Sequence, residues 1–323
     1  MKLCGLFGSG RSGTTWLGSI INSHPDVAYR FEPLHKLMGV PRIDAARRLL
    51  KSDELDDARL AEVYAALIIA HPLVEKPPYF AKHHLRVPLH NWASPLGRSS
   101  VLGTWLFERL YTPTRQPTLV FKQVTMEPVL EAMLTRTNAR AVYLVRHPCG
   151  VVASALAGQR SGMMPVGRLT VLDSLLRKHD AALAARTPPV DSLSDLQKNA
   201  LLWRIEVEQG VRACEASPNG QLVIYEALCR DPIGISRQVF DHLGLSFPDA
   251  TLKFVESSVA GAGGASRSEP FIRSYFSVFR DPQESMNKWK TQLARHEIRS
   301  ILDMVEDSEV FAKLGSQADW TGD

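Results

Sequence analysis

Short apolar runs rich in β-branched and aromatic residues alternate along this chain with longer stretches of helical periodicity. That rhythm argues for βαβ units and a parallel sheet, because parallel strands need a crossover long enough to hold a helix. The candidate strands are residues 3–8, 27–31, 118–124, 141–146 and 221–225. Helical patterns cover 14–22, 53–70, 128–136, 150–158, 194–216, 235–243 and 292–304. The expected fold is a three-layer α/β domain around a doubly wound parallel sheet of about five strands. At 323 residues the chain is long enough for one such domain over 1–323 with a sizeable core.

The first strand empties into Gly8-Ser9-Gly10-Arg11-Ser12-Gly13-Thr14-Thr15, directly before a helix. This has the outline of a phosphate-binding loop, G-x-x-x-x-G-K-[ST], with Thr14 where the lysine would stand and a cation three places upstream at Arg11. Glycines let the backbone approach an anion, a helix N-terminus offers unpaired N–H groups, and Ser12, Thr14 and Thr15 add hydroxyl donors. A ligand-free tight turn would require neither Arg11 nor the two threonines.

The sequence around that loop resembles the 5′-phosphosulfate loop of sulfotransferases that use 3′-phosphoadenosine-5′-phosphosulfate (PAPS). The matching residues are Arg11-Ser12-Gly13-Thr14-Thr15-Trp16, then Asn22-Ser23-His24-Pro25-Asp26-Val27 and Phe31-Glu32-Pro33. Far downstream, Arg146-His147-Pro148 with Ser154 eight residues after Arg146 is similar to the family's 3′-phosphate site. A guanidinium can fork two phosphate oxygens while a helical hydroxyl adds a third contact. Tyr225 resembles the family's tyrosine near the adenine, and with Trp16 would form an aromatic clamp. Phe279-Arg280-Asp281-Pro282 ahead of Asn287-Lys288-Trp289-Lys290 is similar to the segment that closes over the 3′-phosphate, which makes Arg280 a further candidate. The Arg-Lys-Gly of the aryl branch is missing there.

The resemblance implies an in-line displacement in which Arg11 and Lys122 neutralise charge on the sulfuryl and leaving phosphate groups. It also calls for a general base. Glu32, at the end of the second strand, is that candidate, because related carbohydrate and protein-tyrosine sulfotransferases carry a comparable base in this region. A helix cap or an ion pair to Arg30 would equally account for an acid at this position. The aryl and steroid branch places a histidine two residues after a strand-end lysine, whereas this chain has Lys122-Gln123-Val124. His35, His83 and His84 are the alternative bases. The chain thus looks closer to the carbohydrate and protein-tyrosine type. The implied reaction moves a sulfuryl group from PAPS to a hydroxyl, less readily an amine, of a small-molecule, lipid or carbohydrate acceptor, leaving PAP and using no metal. The rival readings are a kinase or nucleotide hydrolase on the same loop, or a module that binds PAP without transferring anything.

Residues 36–115 and about 160–195 match nothing in the family. The first is an insertion with Pro72, Pro77, Pro78, Pro88, Pro95 and Pro113 among Tyr79, Phe80, Trp92, Trp105, Phe107 and Tyr111. Leaving a strand's carboxyl end, it is positioned either to wall an acceptor pocket or simply to cap the sheet. The run "AGAGGAS" at 260–266 reads as a hinge, a covering loop or a plain surface loop.

Composition adds limits. A net charge of +4 is too mild to announce a nucleic-acid partner and suits a locally basic pocket. Cys4, Cys149, Cys214 and Cys229 are scattered without metal-like spacing, as expected of reduced thiols in a cytoplasmic chain. The first residues lack the long apolar core of a signal peptide, and no apolar stretch is long enough for a membrane span. The expected partner is the acceptor, with a homodimer left open.

Overall fold

A computed structural model of the chain describes residues 2–76, 80–162, 167–260, 281–318 and 320. Five parallel strands form one sheet: β1 (Leu3–Gly8), β2 (Val27–Phe31), β3 (Thr118–Val124), β4 (Arg140–Val145) and β5 (Gly220–Ile224), in the order β2-β3-β1-β4-β5. The chain winds from β1 to the β2–β3 side, then crosses to β4 and β5. In open α/β sheets the carboxyl ends of the strands at such a reversal are where ligands bind.

Alternation along β1 sends side chains into two cores, one on each face. Leu3 and Phe7 join Phe121, Tyr143, Leu130 and Val207, under the helices Asp57–Ile68, Glu127–Arg136 and Asp195–Glu215. Cys4 and Leu6 join Leu17, Ile20, Phe240 and Phe254, under Thr14–Asn22, Pro232–Leu243 and Asp249–Val259. Both faces of the sheet are therefore covered, which is why the strands are mostly apolar, with Arg30, Lys122 and Gln123 as buried exceptions. The expected three-layer, doubly wound α/β fold is the fold observed.

Local chemistry sets the element ends. Ser194 and Gln197 form a capping box that starts the longest of the described helices. Pro148 opens the Pro148–Arg160 helix, while Nδ1 of His147 accepts the Cys149 N–H as its cap.

Several expected boundaries move. β4 and β5 begin and end one residue earlier than their apolar runs suggest, because Arg146 and Tyr225 already turn out of the sheet. The helix expected at 53–70 is Asp57–Ile68, started by the Asp56 cap, and Pro41–Leu50 forms another before it. The pattern at 292–304 spans the end of Pro282–Gln292 and a new helix, Arg295–Leu302, begun where Glu297 caps the Ala294 N–H. The insertion also holds Ala93–Arg98 and Val101–Tyr111, whose apolar residues follow no single buried stripe. Pro77, Pro78, Tyr79, Phe279, Arg280 and positions 261–266 lie outside the described residues. All four cysteines are buried free thiols. Among the described residues no helix is long and apolar enough to cross a membrane.

Candidate active site

The loop after β1 lies between β3 and β4, where Gly8 stands opposite Val124 and Leu144. Gly13 ends the loop as the N-cap of the Thr14–Asn22 helix, with φ 98°. A Cβ there would come 2.5 Å from the Tyr225 ring, so only glycine combines this backbone turn with that close approach. No side chain caps this helix and no acid occupies its first turn, so its positive end is uncompensated. The Ser9 hydroxyl is buried with no hydrogen-bond partner, whereas the Ser12 hydroxyl donates back to the Ser9 carbonyl at 2.8 Å. Thr14 is buried and Thr15 half-buried beside them.

Arg11 is the hinge of the site. It holds φ 68°, a left-handed conformation that costs a non-glycine residue about 1–3 kcal/mol. Its Nε donates to Ser154 Oγ at 3.0 Å, and its carbonyl accepts from Arg146 Nη1 at 3.3 Å. Arg146 Nη2 donates to the Ser285 carbonyl at 2.7 Å, and its guanidinium lies 4.7 Å above the Tyr225 ring. The buried Nε of Arg146 has no partner. The helix Pro282–Gln292 thus reaches this arginine, and Trp289 stacks on His147 at 4.6 Å. Trp16 and Tyr225 meet edge to face at 6.3 Å, and Trp16 Nε1 donates to Ser258. The rings touch each other and do not face across a slot.

Lys122 and Glu32 form a second group one strand away. Phe31 pairs with Lys122 in the β2–β3 register, and the Glu32 N–H extends that ladder to the Lys122 carbonyl at 2.8 Å. The chain then turns sharply, with Glu32 at φ 47°. Its carboxylate folds back and forms an ion pair with Lys122 Nζ. Burial pulls the Lys122 ammonium below the ordinary lysine range; Glu32 opposes that shift and Arg11 adds to it. Lys122 and Lys76 lie over the same Phe31 ring, at 4.5 and 5.0 Å. Glu32 therefore pairs with Lys122, while Arg30 is bound to Glu75 at 2.7 Å.

The alternative histidines stand elsewhere. His83 donates its backbone N–H to Pro25 and pairs with Asp26, at the amino end of β2, whereas Glu32 follows the carboxyl end. His84 is buried, and desolvation takes its imidazole down to about 3. His35 is exposed, two residues past Pro33.

Backbone strain marks the site independently. Among the described residues, the non-glycine residues with positive φ are Arg11, Glu32 and Thr125, one after each of β1, β2 and β3. Such clustering at strand ends is a feature of functional sites. Lys76 and Ser285 were invisible in the sequence because an insertion and a C-terminal helix deliver them through tertiary contacts. Among the described residues no group of three or more His, Cys, Asp or Glu is placed to hold a metal ion.

Residues 6–259 match the model of the sulfotransferase domain family. The chain is 23% identical over 93% of its length to human carbohydrate sulfotransferase 2, of which it spans 62%. Mouse carbohydrate sulfotransferase 5 is likewise 23% identical, over 92% of this chain and 76% of that protein. Mouse sulfotransferase SULT7A1 complexed with PAP is 13% identical over 98% of this chain and 89% of that one, with a TM-score of 0.49. With the family match running through the loop, both groups of cations and most of the sheet, the chain belongs to the sulfotransferase domain family.

Proposed function

We propose that this chain moves a sulfuryl group from PAPS to an acceptor hydroxyl, less readily to an amine, and releases PAP. The observation that carries this reading is the double role of Arg11, whose side chain meets Ser154 and whose carbonyl meets Arg146. One residue so joins the loop after β1 to the strand end and helix that follow β4. A donor with anionic groups at both its 5′ and 3′ ends would engage both.

The residues present fit such a donor. Ser9 Oγ and Arg146 Nε are buried polar atoms without partners, and the helix behind Gly13 presents an uncapped N-terminus. Leaving such atoms unpaired costs about 1–3 kcal/mol each, which an anion would relieve. Arg146 and Ser154 would hold the 3′-phosphate; Ser12, Gly13, Thr14 and Thr15 would hold the 5′ end. Tyr225 would hold the adenine side through its contact with Arg146, with Trp16 supporting it. Arg280 remains a candidate on that side.

The donor supplies an electrophilic sulfur whose bond to the 5′-phosphate oxygen breaks as the acceptor oxygen bonds to it, the electron pair leaving with PAP. Lys122 alternates between two anions. Its ammonium is held by Glu32. When a sulfuryl or phosphate oxygen takes that ammonium, the Glu32 carboxylate is released to accept the acceptor proton. Burial of Lys122 strengthens its attraction for an incoming anion, since the surroundings screen it poorly.

In this reading the insertion at 36–115 walls the acceptor, and the similarity to carbohydrate sulfotransferases makes a sugar hydroxyl the first acceptor to test. The test is incubation of the protein with PAPS and candidate acceptors, followed by mass spectrometry. A product heavier by SO3, formed together with PAP, supports the proposal. PAP binding without any such product favours a non-catalytic binding module. Turnover of magnesium-ATP in place of PAPS favours a kinase or hydrolase.

A further inference from the structure

The helices Ala93–Arg98 and Val101–Tyr111 bury only part of their apolar surface. Phe107 and Tyr111 pack inward with Ala93, forming a small core. Opposite them, Val101, Leu102, Trp105, Leu106 and Leu110 are exposed on one helix, and Trp92 and Leu96 on or beside the other. Val101 is 89% exposed and Leu102 71%. Positions 102, 106 and 110 are spaced by four with Trp105 between them, which places them on one side of the helix. The helices are locked together, since the Thr104 hydroxyl donates to the Gly97 carbonyl at 2.8 Å. The two sets of apolar side chains therefore belong to one rigid surface. Contiguous exposed apolar side chains of this kind mark an interaction site.

Charge around the patch has one sign. Between residues 81 and 117 the only acid is Glu108, and Arg42 holds it at 2.7 Å. Arg86, Arg109 and Arg115 are exposed over the same span, while Arg98 donates Nε and Nη2 to the Pro72 carbonyl. Arg109 lies 5.9 Å over the Trp105 ring, and His90 stacks on Trp92 at 5.4 Å. Exposed tryptophans and leucines rimmed by arginine suit the interface of a membrane, where rings sit at headgroup level and guanidinium groups meet lipid phosphates. A second copy of the chain suits it poorly, because a two-fold interface would bring the same arginines together across it.

We propose that this face docks on an anionic lipid bilayer, the leucines and tryptophans entering the headgroup boundary and the arginines pairing with lipid phosphates. Docking is separate from donor binding, because none of these residues belongs to the Arg11, Arg146 or Lys122 groups.

The test is sedimentation of the full chain with vesicles of phosphatidylglycerol and phosphatidylcholine, against vesicles of phosphatidylcholine alone. Expected are clear binding to the mixed vesicles, weaker binding to the neutral ones, and a loss of roughly tenfold or more in partition for Leu102→Glu with Leu106→Glu. Arg109→Glu should weaken binding to the anionic vesicles selectively. Melting temperature and PAP affinity, read on each variant, should be unchanged, since these side chains are exposed. Intact PAP affinity with lost vesicle binding would also separate the docking face from the donor site. Equal partition of wild type and the double variant overturns the proposal, as does equal binding to neutral and anionic vesicles. A concentration-dependent dimer that the double variant dissolves, with no vesicle binding, overturns it in favour of a second copy.

Discussion

Arg11 Nε donates to Ser154 Oγ at 3.0 Å, a hydrogen bond between residues 143 positions apart. It ties the loop after β1 to the helix after β4, and Arg146 reinforces the tie through the Arg11 carbonyl. Ser154→Ala removes a hydroxyl assigned to the 3′-phosphate and one hydrogen bond of Arg11. It should weaken PAP binding roughly tenfold while leaving AMP nearly unaffected, as loss of one hydrogen bond to a charged group predicts. Calorimetry with both ligands checks this, and an equal loss for AMP would show that Ser154 acts only through Arg11.

The Lys122–Glu32 pair predicts different outcomes for its two partners. Glu32→Gln keeps a hydrogen-bond acceptor for Lys122 but no base, so turnover at saturating PAPS should fall roughly a hundredfold, and the melting temperature should also fall because the buried Lys122 ammonium loses its charge partner. Lys122→Ala removes charge stabilisation from the leaving group and should lower turnover more than PAP affinity. Steady-state rates set beside calorimetry decide both. A Glu32→Gln variant that keeps full rate would limit Glu32 to its pairing with Lys122 and remove it as the base.

Gly13 and Gly10 provide a matched pair inside the loop. At Gly13 the backbone has φ 98° and a Cβ would come 2.5 Å from the Tyr225 ring; at Gly10 a Cβ would meet nothing within 4 Å. Gly13→Ala should therefore cost about 1–3 kcal/mol and displace the ring beneath Arg146. Gly10→Ala should be close to neutral. Urea unfolding of the two variants measures the difference, and equal midpoints would mean that the loop yields at Gly13.

A buried acid pair behind the site gives a pH dependence. Glu127 and Glu206 share Arg168, which lies 3.7 and 3.1 Å from them. Burial raises the Glu127 carboxyl to about 7, with Arg168 pulling the other way, and burial and Glu127 together raise Glu206. The folded chain thus keeps a proton that the unfolded chain releases near its ordinary value of 4.5. The unfolded state binds fewer protons between those values, so this group's contribution is greatest below the lower one and declines as pH rises to the upper. Glu127→Gln cannot ionise, and its urea midpoint should fall less between pH 5 and pH 8 than that of the wild type. Parallel declines would show that Glu127 keeps the same protonation state in both forms of the chain.

Much of this was legible in the sequence because the relevant signals are local. The β1 run, its glycine loop and the helix from Thr14 are contiguous, and their bounds match the apolar pattern. Arg146 and Ser154 are also read locally, as a strand end and the next helix. Their convergence on Arg11 is a product of strand order, which places β1 beside β4. Lys76 and Ser285 escaped notice because nothing near them in sequence announces a site. The insertion helices were hidden for the opposite reason: apolar residues lie on both their faces, so periodicity gives no buried stripe.

In the proposed function one site reads both ends of a 3′-phosphorylated donor through Arg11, Arg146 and Ser154. Calorimetric titration of the wild-type chain with PAP and with AMP, in one buffer, tests it most directly. Loss of the charge-assisted contacts to a 3′-phosphate costs roughly 1.5–3 kcal/mol, so PAP should bind about tenfold to a hundredfold more tightly than AMP. Arg146→Ala should narrow that gap. Equal affinities of the wild type for PAP and AMP would contradict the account.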